Sequence, residues 1–192
     1  NTAKKEESIK VGAVQENVEA IIEEKVKQLL EENNISFSDF ESDNCSVNIR
    51  DFIEKYTDFT IEEQPLYKKS SKLDKEKNKI IVNVLEDEER KRFYIAYELG
   101  YALLEPKTTN KNLDEVAILV HELLAKEFAI SFLMPEELLK NVKEKVIIEE
   151  RFSSTEITES VKRIIVRKMS KKLNIPMRLL QYKMNETENI WN

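Results

Sequence analysis

The scarcity of glycine and proline is the feature that most restricts the folds open to this sequence. Only two of its 192 residues are glycine and four are proline. Tight turns and chain breaks depend largely on these two residue types, so long regular elements must dominate. Apolar residues recur at helical spacing along most of the chain, and only short segments resemble strands. We therefore predict an α+β fold that is mostly helical, with a small sheet of about three strands.

The expected elements can be placed along the chain from these patterns. A polar tail at 1–14 precedes a helix at 15–34, and the loop at 34–45 joins it to a short helix at 46–56. Strands are expected at 58–63 and 80–84, with a weaker candidate at 66–70 and a charged loop at 71–78. Later helices are expected from 87 or 88 to about 104, from 112 or 114 to 134, and from 135 to about 142. Residues 146–148 could be extended. A capping box at 153–156 should begin a helix that runs to about 173, and a last helix is expected from 176 to 184.

The first long helix of the second half carries a glutamate between two tyrosines, in the order Tyr97-Glu98-Leu99-Gly100-Tyr101. Residues four apart lie on one face of a helix, so both phenols point to the same side. In an H-E-x-x-H motif, two imidazoles at these positions bind zinc, and the glutamate takes a proton from the metal-bound water. This frame keeps the glutamate and has phenols where the imidazoles would be.

The sequence around this frame resembles the ImmA/IrrE family of metallopeptidases. Arg92–Leu104 reads R-F-Y-I-A-Y-E-L-G-Y-A-L-L, close to the family wording R-F-T-I-A-H-E-L-G-H-x-L-L. A second block, Glu122–Pro135, resembles the family's E-x-x-A-x-x-F-A-x-x-L-L-M-P. Three further segments follow in family order, at 46–60, 79–84 and 166–184. The resemblance covers about residues 46–184 and implies a zincin-like metallopeptidase fold with C-terminal helices.

The resemblance also assigns roles to four positions. Tyr97 and Tyr101 stand at the two histidine ligands, Glu98 at the general base and Glu122 at the third ligand. What the resemblance implies for active relatives is a zinc ion and the cleavage of helix-turn-helix repressors, which are encoded beside them in mobile elements or stress regulons.

Tyrosine is a poor replacement for a histidine ligand. Neutral imidazole binds zinc near neutral pH, whereas a phenol must first lose a proton with a pKa of about 10. The only histidine is His121, and its side chain should point about 100° away from that of Glu122 on a helix. We therefore expect that the site holds no metal or other cofactor and that Glu98 does not act as a general base. We also expect both phenols to donate hydrogen bonds to Glu122, directly or through one water, and a raised pKa at a buried carboxylate, Glu98 or Glu122.

Other interpretations of this site remain open. Tyrosinate binds ferric iron in some proteins, so Tyr97, Tyr101 and Glu122 could form an iron site. A weak zinc site could use His121 if the helix rearranged. In the simplest alternative, the two tyrosines line a groove as amphipathic side chains.

The segment 160–185 is strongly basic, with eight lysines and arginines and no acidic residue. A long helix, a break at 174–175 and a second helix from Pro176 have the outline of a helix-turn-helix. Its basic side chains could contact nucleic acid or an acidic partner, or the helices could dock on the acidic body of their own chain, which we favour. The candidate contact residues are Arg163, Arg167, Lys168, Lys171, Lys172 and Arg178.

Composition points to a cytoplasmic protein. The net charge is −6, which argues against non-specific nucleic-acid binding by the whole surface. A single cysteine, Cys45, cannot form an internal disulfide, and no apolar run is long enough to cross a bilayer. We divide the chain into a tail and helix at 1–45, a peptidase-like core at 46–150 and basic helices at 151–192 that pack on the same domain.

Three hypotheses for the function follow, in order of preference. The first is an inactive pseudopeptidase that binds a protein or peptide partner, such as a helix-turn-helix repressor. The second is an active metallopeptidase with non-standard ligands. The third is a DNA-associated regulator that acts through the basic C-terminal helices.

Overall fold

The computed structural model describes residues 18–35, 45–104, 115–152, 157–187 and 190–191. These contain helices and one three-stranded sheet, so the prediction of a mostly helical α+β fold is confirmed. The predicted tail at 1–14 and capping box at 153–156 lie outside these ranges. The elements are α1 (18–32), α2 (Ile49–Tyr56), β1 (Thr60–Gln64), β2 (Ser71–Asp74), β3 (Lys79–Asn83), α3 (Glu88–Leu103), α4 (Glu115–Leu133), α5 (Glu136–Glu149), α6 (Glu159–Leu173) and α7 (Met177–Glu186).

Strand β3 forms the centre of the sheet, with β1 parallel on one side and β2 antiparallel on the other. The position of β2 corrects the sequence analysis, because 66–70 is not the third strand and the supposed loop at 71–78 contains it. Strand β2 is difficult to recognise because Leu73 is its one apolar residue. Leu73 pairs with Ile80 and packs against the core, which is enough to hold this short strand.

Helix α3 begins where the sequence predicts. The side chain of Asp87 caps it by accepting a hydrogen bond from the Arg90 backbone N–H at 2.9 Å. Ile95 and Leu99 are fully buried on its inner face. Gly100 sets how closely α3 approaches α4, because a Cβ at this position would lie 2.7 Å from Cδ1 of Phe128. No side chain fits between the two helices here.

Helix α5 is longer than the sequence analysis allows. A short helix to about residue 142 and an extended segment at 146–148 were predicted, but one helix covers Glu136–Glu149. The β-branched residues at 146–148 favour a strand locally. Val142 and Val146 are both buried and lie four residues apart, so packing of this helical stripe overrides the local preference.

The C-terminal helices meet at a short turn that the sequence analysis located correctly. Asn174 adopts the left-handed conformation, with φ 52°, and ends α6. The Ser170 hydroxyl donates a hydrogen bond of 2.7 Å to the Ile175 carbonyl, and Pro176 precedes α7. Buried residues of α6 and α7 belong to the same core cluster as those of α1 and the sheet. The site described next is built on the central helices of this core.

Candidate functional site

Helices α3 and α4 bring the predicted site residues together. Tyr97, Glu98 and Tyr101 lie on α3 and Glu122 lies on α4, which packs along α3. Gly100 allows the close approach, since its missing side chain leaves room for Phe128 of α4. Tyr97 and Tyr101 are half-buried, and their ring centroids are 6.3 Å apart. The two phenols therefore share one face of α3, as their spacing predicts.

Glu98 is the most buried carboxylate of the site, with only 7% of its surface exposed. Its Oε1 accepts a hydrogen bond of 2.6 Å from the Ser71 hydroxyl. Burial raises the pKa of Glu98 above its ordinary range, while the Ser71 hydrogen bond and the Lys69 charge lower it only in part. The predicted rise in pKa of a buried carboxylate is thus confirmed at this position. Ser71 was missed by sequence reasoning because its strand was not recognised.

Tyr97 stays protonated over the whole physiological pH range. Burial raises its pKa to about 12, and the negative charges of Glu122 and Glu98 add to the rise. Glu122 is therefore close enough for its charge to act on this phenol. Tyr97 is therefore a neutral hydrogen-bonding group.

Tyr101 stacks on the ring of His121, with centroids 3.8 Å apart and planes inclined by 26°. The ammonium of Lys75 lies 5.3 Å from the centroid of the same phenol ring. Among the described residues, no direct hydrogen bond joins either phenol to Glu122, which is exposed, and Tyr101 packs on its neighbour His121. A contact through one water stays a prediction.

His121 is the buried polar residue whose surroundings the sequence did not reveal. It is 3% exposed, and neither ring nitrogen has a hydrogen-bond partner among the residues that the structure describes. A buried polar group without a partner costs roughly 1–3 kcal/mol. The spacing of four residues to the buried Ala125 was a signal that His121 faces the core, towards α3.

The donor set of this site does not fit the zinc ion that the family resemblance implies. Tyr97 would have to ionise against a pKa of about 12, and the ring of Tyr101 is stacked on His121. Of the three positions that the resemblance assigns to metal ligands, Glu122 alone carries a carboxylate. Across the ranges that the structure describes, no three His, Cys, Asp or Glu side chains are grouped so that they could hold a metal ion. Catalytic zinc sites use three good protein ligands and one open position.

The basic candidate residues lie on other elements, α6 and α7. Lys168 forms an ion pair of 2.7 Å with Glu150, the C-cap residue of α5, and Lys172 forms one of 2.9 Å with Glu149, the last residue of α5. The remaining four basic candidates are exposed: Arg163, Arg167, Lys171 and Arg178. Part of this segment therefore docks on the acidic residues of its own chain, and part does not.

The fold and the α3–α4 site define a member of a known family. The sequence model of the IrrE N-terminal-like domain, Peptidase_M78, matches residues 46–164, and the chain belongs to this family. A comparison with curated proteins gives no significant match.

A solved structure of a Mycobacterium tuberculosis transcriptional regulator is similar, with a TM-score of 0.59 and 9% sequence identity. The match covers 90% of this chain and 49% of that chain, so the present chain spans about half the length of the regulator. At this identity the likeness concerns the fold. No helix within the described ranges is long and apolar enough to span a membrane.

Proposed function

We propose that this chain is a catalytically inactive member of the ImmA/IrrE family that binds a protein partner, such as a helix-turn-helix repressor, without cleaving it. The observation that carries the proposal is a pair of phenols at the two histidine ligand positions, one of which has a pKa of about 12. The likeness to a transcriptional regulator supports a regulatory setting for this partner.

The chemistry of Glu98 supports inactivity. A peptidase glutamate must take a proton from a water molecule while a metal or another electrophile stabilises the oxyanion. Here Glu98 has a raised pKa, which by itself suits a general base, and its Oε1 accepts a hydrogen bond from the Ser71 hydroxyl at 2.6 Å. The electrophile is what the site lacks, because neither phenol replaces the positive charge of a zinc ion. Glu98 alone is therefore an insufficient catalyst for peptide hydrolysis.

The same residues are suited to binding. Tyr97 and Tyr101 each present a half-buried ring with a polar hydroxyl, which is the kind of side chain that dominates protein interfaces. Strand β2, which supplies Ser71, lies at an edge of the sheet. An edge strand and two aromatic rings can hold an extended peptide segment. We propose the surface formed by Tyr97, Tyr101 and strand β2, which we name the α3–α4 cleft, as the partner-binding surface.

The first experiment compares the metal content of the wild type and the Tyr97→His/Tyr101→His double variant after zinc loading and desalting. We expect no stoichiometric zinc in the wild type and about one zinc per chain in the double variant, which would regain two imidazole ligands. About one metal ion per wild-type chain would contradict the proposal. If Glu98→Gln then also abolished a peptidase activity, the protein would be a metallopeptidase with non-standard ligands.

Binding by the cleft is tested with a candidate helix-turn-helix repressor encoded beside the gene. We expect Tyr97→Ala/Tyr101→Ala to weaken the complex at least about tenfold, because aromatic side chains are frequent binding hot spots. The matched control is Tyr67→Ala, since the Tyr67 side chain is 85% exposed and lies outside the cleft residues. Equal affinity of both variants, or cleavage of the repressor by the wild type, would contradict the proposal.

A further inference from the structure

The basic residues of α6 form two stripes that differ in their partners. Lys168 and Lys172 lie on the stripe that faces α5, where Glu150 and Glu149 neutralise them. The second stripe, which we name the open basic stripe, consists of Arg163, Arg167 and Lys171. All three are exposed and form no ion pair within the described part of the chain.

The fold fixes the direction of the open basic stripe. The opposite face of α6 is buried through Ile165, Val166, Met169, Ser170 and Leu173, so the stripe points away from the core. Residues four apart rise about 6 Å along a helix, so its three charges form a row about 12 Å long. Arg178, exposed in the first turn of α7, adds a fourth charge beyond the turn.

We propose that the open basic stripe binds an acidic helical segment of a protein partner. A helix with Asp or Glu every fourth residue repeats its carboxylates at the same 6 Å interval, so each could pair with one cation of the stripe. This surface is separate from the α3–α4 cleft, and the proposal does not require the cleft to bind anything.

Two observations favour an acidic protein over nucleic acid. The segment 160–185 has a charge of +8 in a chain of net charge −6, so the rest of the chain carries −14 and would repel a polyanion. Carboxylates of the same chain form ion pairs with four of the eight cations in this segment. These pairs are Lys162 with Glu159, Lys168 with Glu150, Lys172 with Glu149 and Lys183 with Glu23. Within the described part of the chain, four cations remain without a carboxylate partner, fewer than the roughly 6–10 phosphate contacts of a strongly bound duplex.

An apolar neighbour gives the surface a further property of a protein interface. The Met177 side chain is 42% exposed beside Arg178, at the start of α7. Methionine adapts its shape to different apolar partners, whereas phosphate groups gain nothing from it. An amphipathic acidic helix could cover Met177 while its carboxylates pair with the open basic stripe.

The test uses a labelled synthetic helical peptide with glutamate at every fourth position, and its glutamine counterpart, in fluorescence anisotropy titrations at low and physiological salt. We expect the glutamate peptide to bind and the glutamine peptide to bind at least about tenfold more weakly. Affinity should fall as salt is raised, because exposed ion pairs are screened. A duplex DNA of matched charge should bind less tightly than the glutamate peptide.

The variant Arg167→Glu/Lys171→Glu should lower the affinity for the glutamate peptide by about tenfold or more. Its matched control is Lys72→Glu/Lys77→Glu, which makes the same charge change at exposed positions of β2 and its turn. Arg167→Gln/Lys171→Gln gives a second measurement in which no new acidic residue can disturb folding. No binding by the wild type at low salt, equal losses in the stripe and control variants, or tighter binding of duplex DNA would each overturn the proposal.

Discussion

The carboxylate bound at the first turn of α3 and the carboxylate in the middle of α3 have pKa values that are shifted in opposite directions. At the first turn, Lys91 donates hydrogen bonds to Glu63 of β1 at 2.7 Å and to Glu88 at 3.1 Å, and Arg50 of α2 also pairs with Glu63. The Lys91 hydrogen bond, together with Arg50, holds the pKa of Glu63 below its ordinary value. Two turns further on, Glu98 has a hydroxyl donor, Ser71, and burial raises its pKa.

The difference separates a structural carboxylate from one that belongs to a site. The pairing of Glu63 joins β1, α2 and α3, and its charge stabilises the fold. The charge of Glu98 disfavours folding, because it is removed from water and no cation of the described residues donates a hydrogen bond to it. Perturbed carboxylates of this kind are frequent at functional sites. This perturbed carboxylate lies between the two phenols at the positions that the family resemblance assigns to histidine ligands.

The largest effect is expected where α3 touches α4. Gly100→Ala places a Cβ 2.7–2.8 Å from the Cβ, Cγ and Cδ1 atoms of Phe128, so one helix must shift. Overpacking of this kind costs about 1–3 kcal/mol in the free energy of unfolding, measured by urea denaturation. Helix propensity alone predicts the opposite sign, a gain of about 1 kcal/mol. A stabilised variant would therefore show that α3 and α4 are not in tight contact here.

A compensating substitution sharpens this prediction. Phe128→Leu shortens the side chain that Gly100→Ala would meet, so the double variant should lose less stability than the sum of the two single variants. Coupling energies between residues in contact are commonly about 0.5–3 kcal/mol. Strict additivity in the double-mutant cycle would mean that the two side chains do not meet.

Removal of each charge tests the comparison between the two carboxylates directly. At neutral pH we expect Glu63→Gln to destabilise the protein by up to about 1 kcal/mol, since this pair is partly exposed. Glu98→Gln should stabilise it by about 0.5 kcal/mol, because the amide oxygen still accepts the Ser71 hydrogen bond and no charge is buried. Urea denaturation of both variants gives the two values. If both substitutions changed the free energy of unfolding in the same direction, the proposed difference between Glu63 and Glu98 would be wrong.

The dependence of stability on pH should show the same opposition. Glu98 has a raised pKa in the folded protein, so its unfavourable contribution is absent below the ordinary value of 4.5 and develops as pH rises through the folded pKa. Glu63 has a lowered pKa, so its favourable contribution is present above 4.5 and is lost as pH falls through the folded pKa. The free energy of unfolding of each Gln variant relative to wild type, measured against pH, should therefore change in opposite directions.

Much of this arrangement could be predicted from sequence, because it depends on local spacing. The pairing of Tyr97 with Tyr101 on one helix face follows from their separation of four residues, and Asp87 is recognisable as a cap before a helix. The boundaries of β1 and β3 are within two residues of the prediction. The family resemblance also located Glu122 on the neighbouring helix.

The parts that could not be predicted depend on tertiary contacts. Strand β2 has a single apolar residue and exists because it pairs with β3, so Ser71 could not be connected with Glu98. The stacking of Tyr101 on His121 depends on how α3 crosses α4, which no local pattern encodes. For the same reason, sequence could not decide whether the phenols contact Glu122 directly, and among the described residues they do not.

The smallest expected effect concerns the Ser71 hydroxyl, which donates a hydrogen bond to Glu98 in the middle of α3. Ser71→Ala removes the hydrogen bond that lowers the pKa of Glu98, so this pKa should rise further, as measured by NMR titration of a labelled Glu98 carboxyl. The neighbouring Ser70 donates an equally short hydrogen bond of 2.6 Å to Glu86, which makes Ser70→Ala the matched control. The control should leave the pKa of Glu98 unchanged. If both variants shifted it alike, the Ser71 hydroxyl would have no specific role, and burial alone would explain why this carboxylate differs from Glu63.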